Sequence, residues 1–206
     1  MGKKKFIKEY VEPIVIAVLI ALFIRTFIVQ AFKIPSSSME PTLLVGDYIL
    51  VSKFIYGIKI PFTDAKMLEF NKPKRGDVVV FIYPKDRSKD FIKRVIGTEG
   101  EKVEIIRSKI YINDRLIDDP WGYYDEKNEW SKYFQSKDKY GPELVPKDSI
   151  FVLGDNRNNS QDSRFWGYVN INEVKGKAFI IYFSWDWYAQ NLFNKIRWIR
   201  LGKLIH

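Results

Sequence analysis

An apolar run of twenty residues, from Pro13 to Phe32, constrains the fold of this chain more than any other feature. Roughly 20 apolar residues in an α-helix are enough to cross the hydrocarbon core of a bilayer. A cationic head before an apolar run is also typical of a cleavable signal peptide. The run is long for such a peptide, however, and the sequence AFKIPSSS at its end offers no clear small-x-small cleavage site. We therefore predict a retained transmembrane anchor over residues 13–32.

The charged residues before the run predict its orientation. Residues 1–8 contain four lysines and no acid. Lysine and arginine are enriched on the cytoplasmic side of membrane helices. The basic amino terminus, 1–12, is therefore expected in the cytoplasm, with everything after Phe32 on the opposite side of the membrane. Arg25 lies inside the run near its outer end, where its long side chain can snorkel to the interface or pair with another group.

The net charge of +9 is concentrated at the two ends of the chain. Four lysines precede residue 9 and four basic residues follow Asn191, whereas the middle of the chain is nearly balanced. A nucleic-acid-binding protein more often carries its basic residues across one folded face, so we expect no nucleic acid partner. Basic ends beside an apolar span favour membrane lipid as the partner instead.

Short segments rich in β-branched and aromatic residues follow the run, each bounded by Gly, Pro or Asp. Examples are DYILVSKF (47–54), GDVVVFIYP (76–84), DFIKRVIG (90–97) and GKAFIIYFSW (176–185). No helical periodicity persists beyond the run. We therefore predict an all-β, mostly antiparallel domain over 33–206, preceded by one transmembrane helix. A polar, turn-rich stretch near 114–147 predicts a small β insertion subdomain at about 102–148.

Three consecutive serines, Ser36, Ser37 and Ser38, follow the run by only a few residues. They are typical of a loop that leaves the membrane, and the alternative is that one of them is a nucleophile. A serine nucleophile needs a base within hydrogen-bond reach. The chain has no cysteine, and its one histidine, His206, is the last residue of the sequence and a poor candidate for an active site. A lysine or a carboxylate remains as the base, and no thiolate or multi-histidine metal site is possible.

Lys93 is the candidate base among the lysines. In a strand over DFIKRVIG, the alternation of side chains places Phe91, Lys93 and Val95 on one face. A lysine between apolar neighbours on a buried face loses solvation, which lowers its pKa and makes the neutral amine accessible near neutral pH. The alternative is that Lys93 and Arg94 are solvated charges at the flank of a strand.

The segment GDNRNNSQDSRFWG, residues 154–167, concentrates hydrogen-bonding groups directly after an apolar strand. Asp, Asn and Gly are common in turns because their side chains bond the nearby backbone. A calcium loop is excluded because Arg157 would occupy a position that needs an oxygen ligand. The alternative to a simple turn is a rigid polar scaffold beside a catalytic pair.

Four segments together resemble the motifs of the bacterial type I signal peptidases, or leader peptidases, and they occur in that family's order. They are IPSSSMEPTLLVGDYILVSKF, KRGDVVVF, DFIKRVIGTEGE and GDNRNNSQDSRFWGYV. The resemblance implies a membrane-anchored serine endopeptidase that uses a Ser/Lys dyad to cleave N-terminal signal peptides from exported preproteins. It further implies a monomer in the bacterial cytoplasmic membrane, with its catalytic domain on the outer face, its amino terminus in the cytoplasm, and no metal or cofactor.

The same resemblance assigns roles to individual residues. It implies that Ser38 is the nucleophile and Lys93 the general base. Ser36 is implied to donate to the oxyanion, together with the backbone N–H of Ser38, and Ser160 to orient the lysine amine. The supporting ion pair is Asp162 with Arg164. The residues near the substrate pockets are Ile34, Pro35, Met39, Leu43 and Ile92. Ser37 departs from a glycine common in one branch of the family, which would add strain if the turn required positive φ.

Several alternatives stay open at this point. Self-cleaving repressors also use a Ser/Lys pair, but they usually carry a DNA-binding helix-turn-helix where this chain has an anchor. A specialised pilus, conjugation or organellar signal peptidase has the same fold, and a catalytically inactive anchored binding module belongs to another class. The aromatic and basic segment after residue 182 is interpreted either as a surface that rests on lipid or as a cover over the core.

Overall fold

The computed structural model describes residues 7–59, 66–68, 70–124 and 139–206. One long helix, α1, runs from Ile7 to Ile28. Its first and last five residues are π-helical around the central α-helix, Glu12–Phe23. Its apolar window has a mean hydropathy of 2.3 and is not buried against the protein. A helix that is apolar and uncovered on all sides fits a bilayer span.

The helix ends four residues before the end of the predicted anchor, 13–32. Val29–Lys33 form strand β1 and pair antiparallel with residues of strand β2, Asp47–Ser52. Hydropathy does not distinguish an apolar strand from the last turn of an apolar helix, so the sequence pattern extended the helix too far. Nine residues therefore lie between the helix and Ser38, instead of the five that follow Phe32, the end of the predicted anchor.

The rest of the described chain is mostly β-sheet. The strands after β2 are β3 (Ile58–Lys59), β4 (Lys66–Leu68), β5 (Val78–Ile82), β6 (Asp90–Gly97), β7 (Lys102–Ile106), β8 (Lys109–Ile112), β9 (Arg115–Leu116), β10 (Lys139–Leu144), β11 (Ser149–Leu153), β12 (Val169–Asn170) and β13 (Val174–Ser184). Two short helices, α2 (Ser163–Trp166) and α3 (Leu192–Lys195), were not predicted, because four residues are too few to show helical periodicity.

Two antiparallel sheets make up most of the β structure. The larger has seven strands in the order β1-β2-β13-β5-β6-β11-β12, and the smaller has four in the order β10-β7-β8-β9. Strands β3 and β4 form a separate pair. The predicted all-β, antiparallel fold class after one N-terminal helix is confirmed. The smaller sheet lies within the range predicted for the insertion, 102–148, of which residues 125–138 are outside the described residues.

The central strand of the larger sheet, β5, shows how the core forms on both faces of the sheet. Its side chains alternate: Val78 and Val80 pack in one apolar cluster, and Val79 and Phe81 pack in another. A third cluster joins the ends of β6 and β11 to the smaller sheet. The alternation explains why β5 is apolar at every position, since a strand covered on both faces has no solvent side.

Candidate active site

Ser38 and Lys93 meet in the interior of the protein. Ser38 lies in the turn between β1 and β2, whose base is closed by hydrogen bonds from the Ile34 N–H to the Asp47 carbonyl and from the Gly46 N–H to the Ile34 carbonyl. Lys93 extends from β6, and its Nζ lies 2.7 Å from Ser38 Oγ. Ser38 is 8% exposed and Lys93 4% exposed. A nucleophile and its base within hydrogen-bond distance form the geometric signature of nucleophilic catalysis.

Burial lowers the pKa of Lys93 to about 8, against the opposing attraction of the Asp162 and Asp155 carboxylates. The direction of the shift is the one expected for a lysine on the buried face of a strand. With a pKa near 8, about a tenth of the lysine is neutral at pH 7, compared with roughly one in 3,000 at its ordinary value. The aromatic ring of Phe91, from the same strand, lies 5.4 Å from Nζ. The amine also donates to the Ile92 carbonyl at 2.9 Å, so it is held at two points.

Two donors that could stabilise an oxyanion lie beside Ser38 Oγ. The hydroxyl of Ser36, an exposed residue, is 3.5 Å from Ser38 Oγ. The backbone N–H of Ser38 has no hydrogen-bond acceptor among the described residues. Both are groups of the kind that donate to a developing oxyanion in acyl transfer.

Ser160 lies in the site, beside the Ser38 carbonyl at Gly154, without a hydrogen bond to the lysine. Its side chain is fully buried, and a Cβ on Gly154 would collide with its Oγ and with the Ser38 carbonyl. Within the described part of the chain, Lys93 Nζ donates to Ser38 and Ile92 but makes no hydrogen bond to Ser160. The orienting contact implied by the resemblance is therefore absent from this geometry, and the Ile92 carbonyl makes a second contact with the amine instead.

Asp162 and Arg164 form the ion pair that the resemblance implied. The Arg164 Nε and Nη2 donate to the two carboxylate oxygens of Asp162 at 2.8 and 2.9 Å. The carboxylate also accepts from the Gly154 N–H at 3.1 Å. Burial alone would raise the pKa of Asp162, but the charge and hydrogen bonds of Arg164 outweigh burial and lower it. Asp162 is thus a carboxylate at neutral pH and adds a negative charge near Lys93.

Arg94 and Asp155 form a second buried ion pair. Both side chains are fully buried, and the Arg94 guanidinium donates to the two oxygens of Asp155 at 2.7 and 2.8 Å. The Thr42 hydroxyl, four residues after Ser38, donates to the same carboxylate at 2.6 Å. The sequence contains a signal that could have indicated this ion pair. Alternation along β6 places Arg94 on the same face as the apolar Ile92 and Ile96, where a buried charge needs a partner of opposite charge.

The loop after β11 also makes direct hydrogen bonds to the turn between β1 and β2 that carries Ser38, here called the nucleophile turn. The Asn156 N–H donates to the Ser38 carbonyl at 3.1 Å, and its side-chain amide donates to the Ser37 carbonyl at 3.3 Å. The Asn159 amide donates to the Ser37 hydroxyl at 2.8 Å. Ser37 is not among the residues with positive φ, so a serine at this position adds no strain and gains a hydrogen-bond partner.

The residues predicted to lie near the substrate differ in accessibility. Ile34, Met39 and Leu43 are fully buried in the apolar cluster below the turn. Pro35 is exposed, and Ile92 is partly buried against the same cluster. Pro35 and Ile92 can therefore touch a bound peptide directly, whereas the other three shape the site from beneath.

Comparison with known proteins agrees with this geometry. The family model described as "Signal peptidase, peptidase S26" matches residues 7–185, which is most of the chain. The chain belongs to this family. A signal peptidase I of Pseudomonas aeruginosa is 37% identical over 216 residues, covering 90% of this chain and 75% of that protein. A signal peptidase I of Leptolyngbya laminosa is 41% identical over 182 residues, covering 84% of this chain and 77% of that protein.

A crystal structure of a signal peptidase I from Enterococcus faecalis V583 is also similar, with 28% identity and a TM-score of 0.42, covering 53% of this chain and 98% of that one. Membership in the signal peptidase family supports peptidase activity directed at signal peptides. The N-terminal apolar helix fits a membrane-anchored member of the family. The resemblance inferred from the four sequence segments is thus confirmed at the level of the family.

Proposed function

We propose that this chain is a membrane-anchored serine endopeptidase that removes N-terminal signal peptides from exported preproteins, with Ser38 as nucleophile and Lys93 as general base. The observation that carries the proposal is the 2.7 Å hydrogen bond between two buried side chains, of which the lysine has a pKa of about 8. Within the described part of the chain His206, the one histidine of the sequence, makes no hydrogen bond to Ser38, which supports this amine as the base.

The proposed reaction begins with the neutral Lys93 amine taking the proton of Ser38 Oγ as this oxygen attacks the scissile carbonyl carbon. The Ser38 N–H and the Ser36 hydroxyl donate to the resulting oxyanion. The Lys93 ammonium then returns the proton to the leaving amine, the C–N bond breaks, and the signal peptide remains as an ester on Ser38. Lys93 next deprotonates a water molecule, which attacks the ester and releases the peptide acid with Ser38 restored.

The proposed location is the bacterial cytoplasmic membrane, with the amino terminus in the cytoplasm and the β domain on the outer face. The lysines before the helix favour this orientation. Exposed aromatic and aliphatic side chains near the carboxyl end suit the headgroup region of a bilayer. They are Trp187, Tyr188, Phe193, Trp198 and Ile199. We propose that this surface rests on lipid, so that membrane-spanning signal peptides present their cleavage point to Ser38.

Cleavage of a preprotein by the purified full-length chain in detergent tests the proposal. We expect wild type to release the mature protein, and both Ser38→Ala and Lys93→Ala to reduce the rate at least a thousandfold, as for the loss of a nucleophile or its base. Retention of normal cleavage by Lys93→Ala would refute the assignment of the base. A wild-type chain that binds the preprotein without turnover would support the alternative of an inactive binding module.

A further inference from the structure

Residues 119–124, with the sequence DPWGYY, lie in the predicted insertion but contact the catalytic loop of the larger sheet. Tyr123 forms a parallel bridge with Asn156. Its N–H donates to the Asp155 carbonyl at 2.7 Å, and its carbonyl accepts from the Arg157 N–H at 2.8 Å. The segment is thus paired, backbone to backbone, with the loop 154–157 that follows β11.

Asp119 neutralises a buried charge in this loop. Its carboxylate accepts hydrogen bonds from both terminal nitrogens of Arg157, one of them at 2.8 Å. Arg157 is fully buried, and its Nε donates to the Gly154 carbonyl at 3.1 Å. Gly122 permits this approach, because a Cβ at that position would lie 2.6 Å from Asp119 and 2.8 Å from Arg157. A buried guanidinium is strongly destabilising without such a partner.

Trp121 covers the second buried arginine. The Arg94 guanidinium lies 4.6 Å from the centre of the Trp121 ring, within the distance of a cation–π contact. Arg94 in turn holds Asp155. The other edge of the Trp121 ring packs on Gly76, where an added Cβ would lie 3.1 Å from the ring. The segment therefore touches Arg157 and Arg94, two of the arginines that support the loop 154–157.

The opposite side of the loop holds the nucleophile turn. Asn156 donates to the carbonyls of Ser38 and Ser37, and Asp155 accepts from Thr42. The loop is therefore held between the segment 119–124 on one side and the turn that carries Ser38 on the other. A displacement of the loop would be transmitted to Ser38 through these three hydrogen bonds.

We propose that Asp119 and Trp121 are positioning residues of the peptidase, which fix the loop 154–157 and thereby hold Ser38 in line with Lys93. This inference rests on the proposed roles of Ser38 and Lys93. Neither residue contacts Ser38 or Lys93 directly, so both act through Arg157 and Arg94. A misplacement of about 1 Å at a reacting group can reduce a rate roughly a hundredfold.

Steady-state kinetics of the full-length chain in detergent, with one preprotein substrate, test the inference. The variants are Asp119→Asn and Trp121→Leu, each assayed at a temperature where circular dichroism shows the chain to be folded. We expect kcat to fall at least tenfold in both, with KM within twofold of wild type, because substrate contacts are unchanged. Asp118→Asn, which alters the exposed neighbouring acid, and Trp121→Phe, which keeps a ring over Arg94, are expected to stay within threefold.

Wild-type kcat in both folded variants would overturn the inference, as would a rise in KM at unchanged kcat, since that would indicate contact with substrate. If Asp119→Asn does not fold, Trp121→Leu alone decides, because it removes no counter-charge. Ser38→Ala in the same assay separates the two proposals. Cleavage by Ser38→Ala would refute the proposed function itself, whereas an inactive Ser38→Ala together with wild-type kcat in every folded variant would refute the positioning role alone.

Discussion

Replacement of Lys93 by methionine is expected to abolish cleavage and yet stabilise the fold at neutral pH. Lys93 carries its proton freely in the unfolded chain, where its pKa is near 10.5, but burial lowers the pKa to about 8 in the folded chain. Since one pKa unit is worth about 1.4 kcal/mol, holding this side chain in the folded protein costs about 3 kcal/mol at pH 7. Methionine has similar length and no charge to desolvate.

The sign of the pH dependence follows from proton binding. Between pH 8 and 10.5 the unfolded chain binds the proton and the folded chain does not, so the stability of wild type rises with pH in this window. Below pH 8 the destabilisation is complete, and above 10.5 it vanishes. The stability of Lys93→Met relative to wild type is therefore constant from pH 6 to 7 and falls by about 1 kcal/mol between pH 7 and 9.

The gain in stability from Lys93→Met is smaller than the cost of burying the lysine that the substitution removes. Methionine leaves the Ile92 carbonyl and the Ser38 hydroxyl without the amine, and each lost hydrogen bond costs about 1 kcal/mol. The net gain at pH 7 is therefore about 1 kcal/mol. The change with pH is unaffected by these losses, because they do not titrate, and it is the more discriminating quantity.

Urea unfolding of the full-length chain in detergent, followed by tryptophan fluorescence at several pH values from 6 to 9, measures this difference. Lys85→Met provides the control, since Lys85 is exposed in the turn between β5 and β6 and its replacement leaves the buried contacts of Lys93 in place. A pH-independent difference for Lys93→Met would refute the reasoning, because it would mean that Lys93 titrates alike in the folded and unfolded chains.

Three further predictions concern activity, stability and topology. The kcat/KM of wild type is expected to rise about tenfold per pH unit in acid and to level off above a midpoint near pH 8, as Lys93 loses its proton; a profile that stays flat down to pH 5 would contradict a lysine base. Asp162→Asn is expected to cost about 3–5 kcal/mol in urea unfolding, because Arg164 is left buried without its counter-charge, and a cost below about 1 kcal/mol would show that the pair is dispensable. Protease added to spheroplasts is expected to digest the β domain from outside, and complete protection would reverse the proposed orientation.

The fold class could be predicted because its signals are local. Alternating and β-branched segments mark the strands wherever one face or both are buried, as in β5 and β6. The end of the anchor could not be placed, because Val29–Lys33 are strand only by virtue of pairing with β2. Apolar residues suit either a helix in lipid or a strand in a sheet, and the choice depends on residues distant in sequence.

The residues of the candidate site likewise divide into those that short segments predict and those that depend on residues distant in sequence. Lys93 could be named as a candidate base from alternation and the need of a serine for a base, both of which are properties of short segments, and the resemblance then implied its role. The role of Asp119 could not be predicted, because its partner Arg157 is 38 residues away in the sequence. An acid in a turn-rich stretch is more simply interpreted as a solvent-exposed charge. The resemblance implied that Ser160 orients the lysine amine, but whether the two groups form a hydrogen bond depends on the packing around Gly154 between segments distant in sequence.

The lowered pKa of Lys93 depends on how the surrounding charges are paired. Asp155 and Asp162 each raise the pKa of the lysine, and alone they would favour the ammonium. Each carboxylate is bound on both oxygens by its own arginine, Arg94 or Arg164, whose positive charge opposes the attraction of that carboxylate for Lys93. Desolvation by burial then remains the largest effect on the pKa of Lys93. The buried ion pairs thus keep the region rigid and hydrogen-bonded without supplying the lysine with a counter-ion, which is the condition for an amine to act as a base near neutral pH.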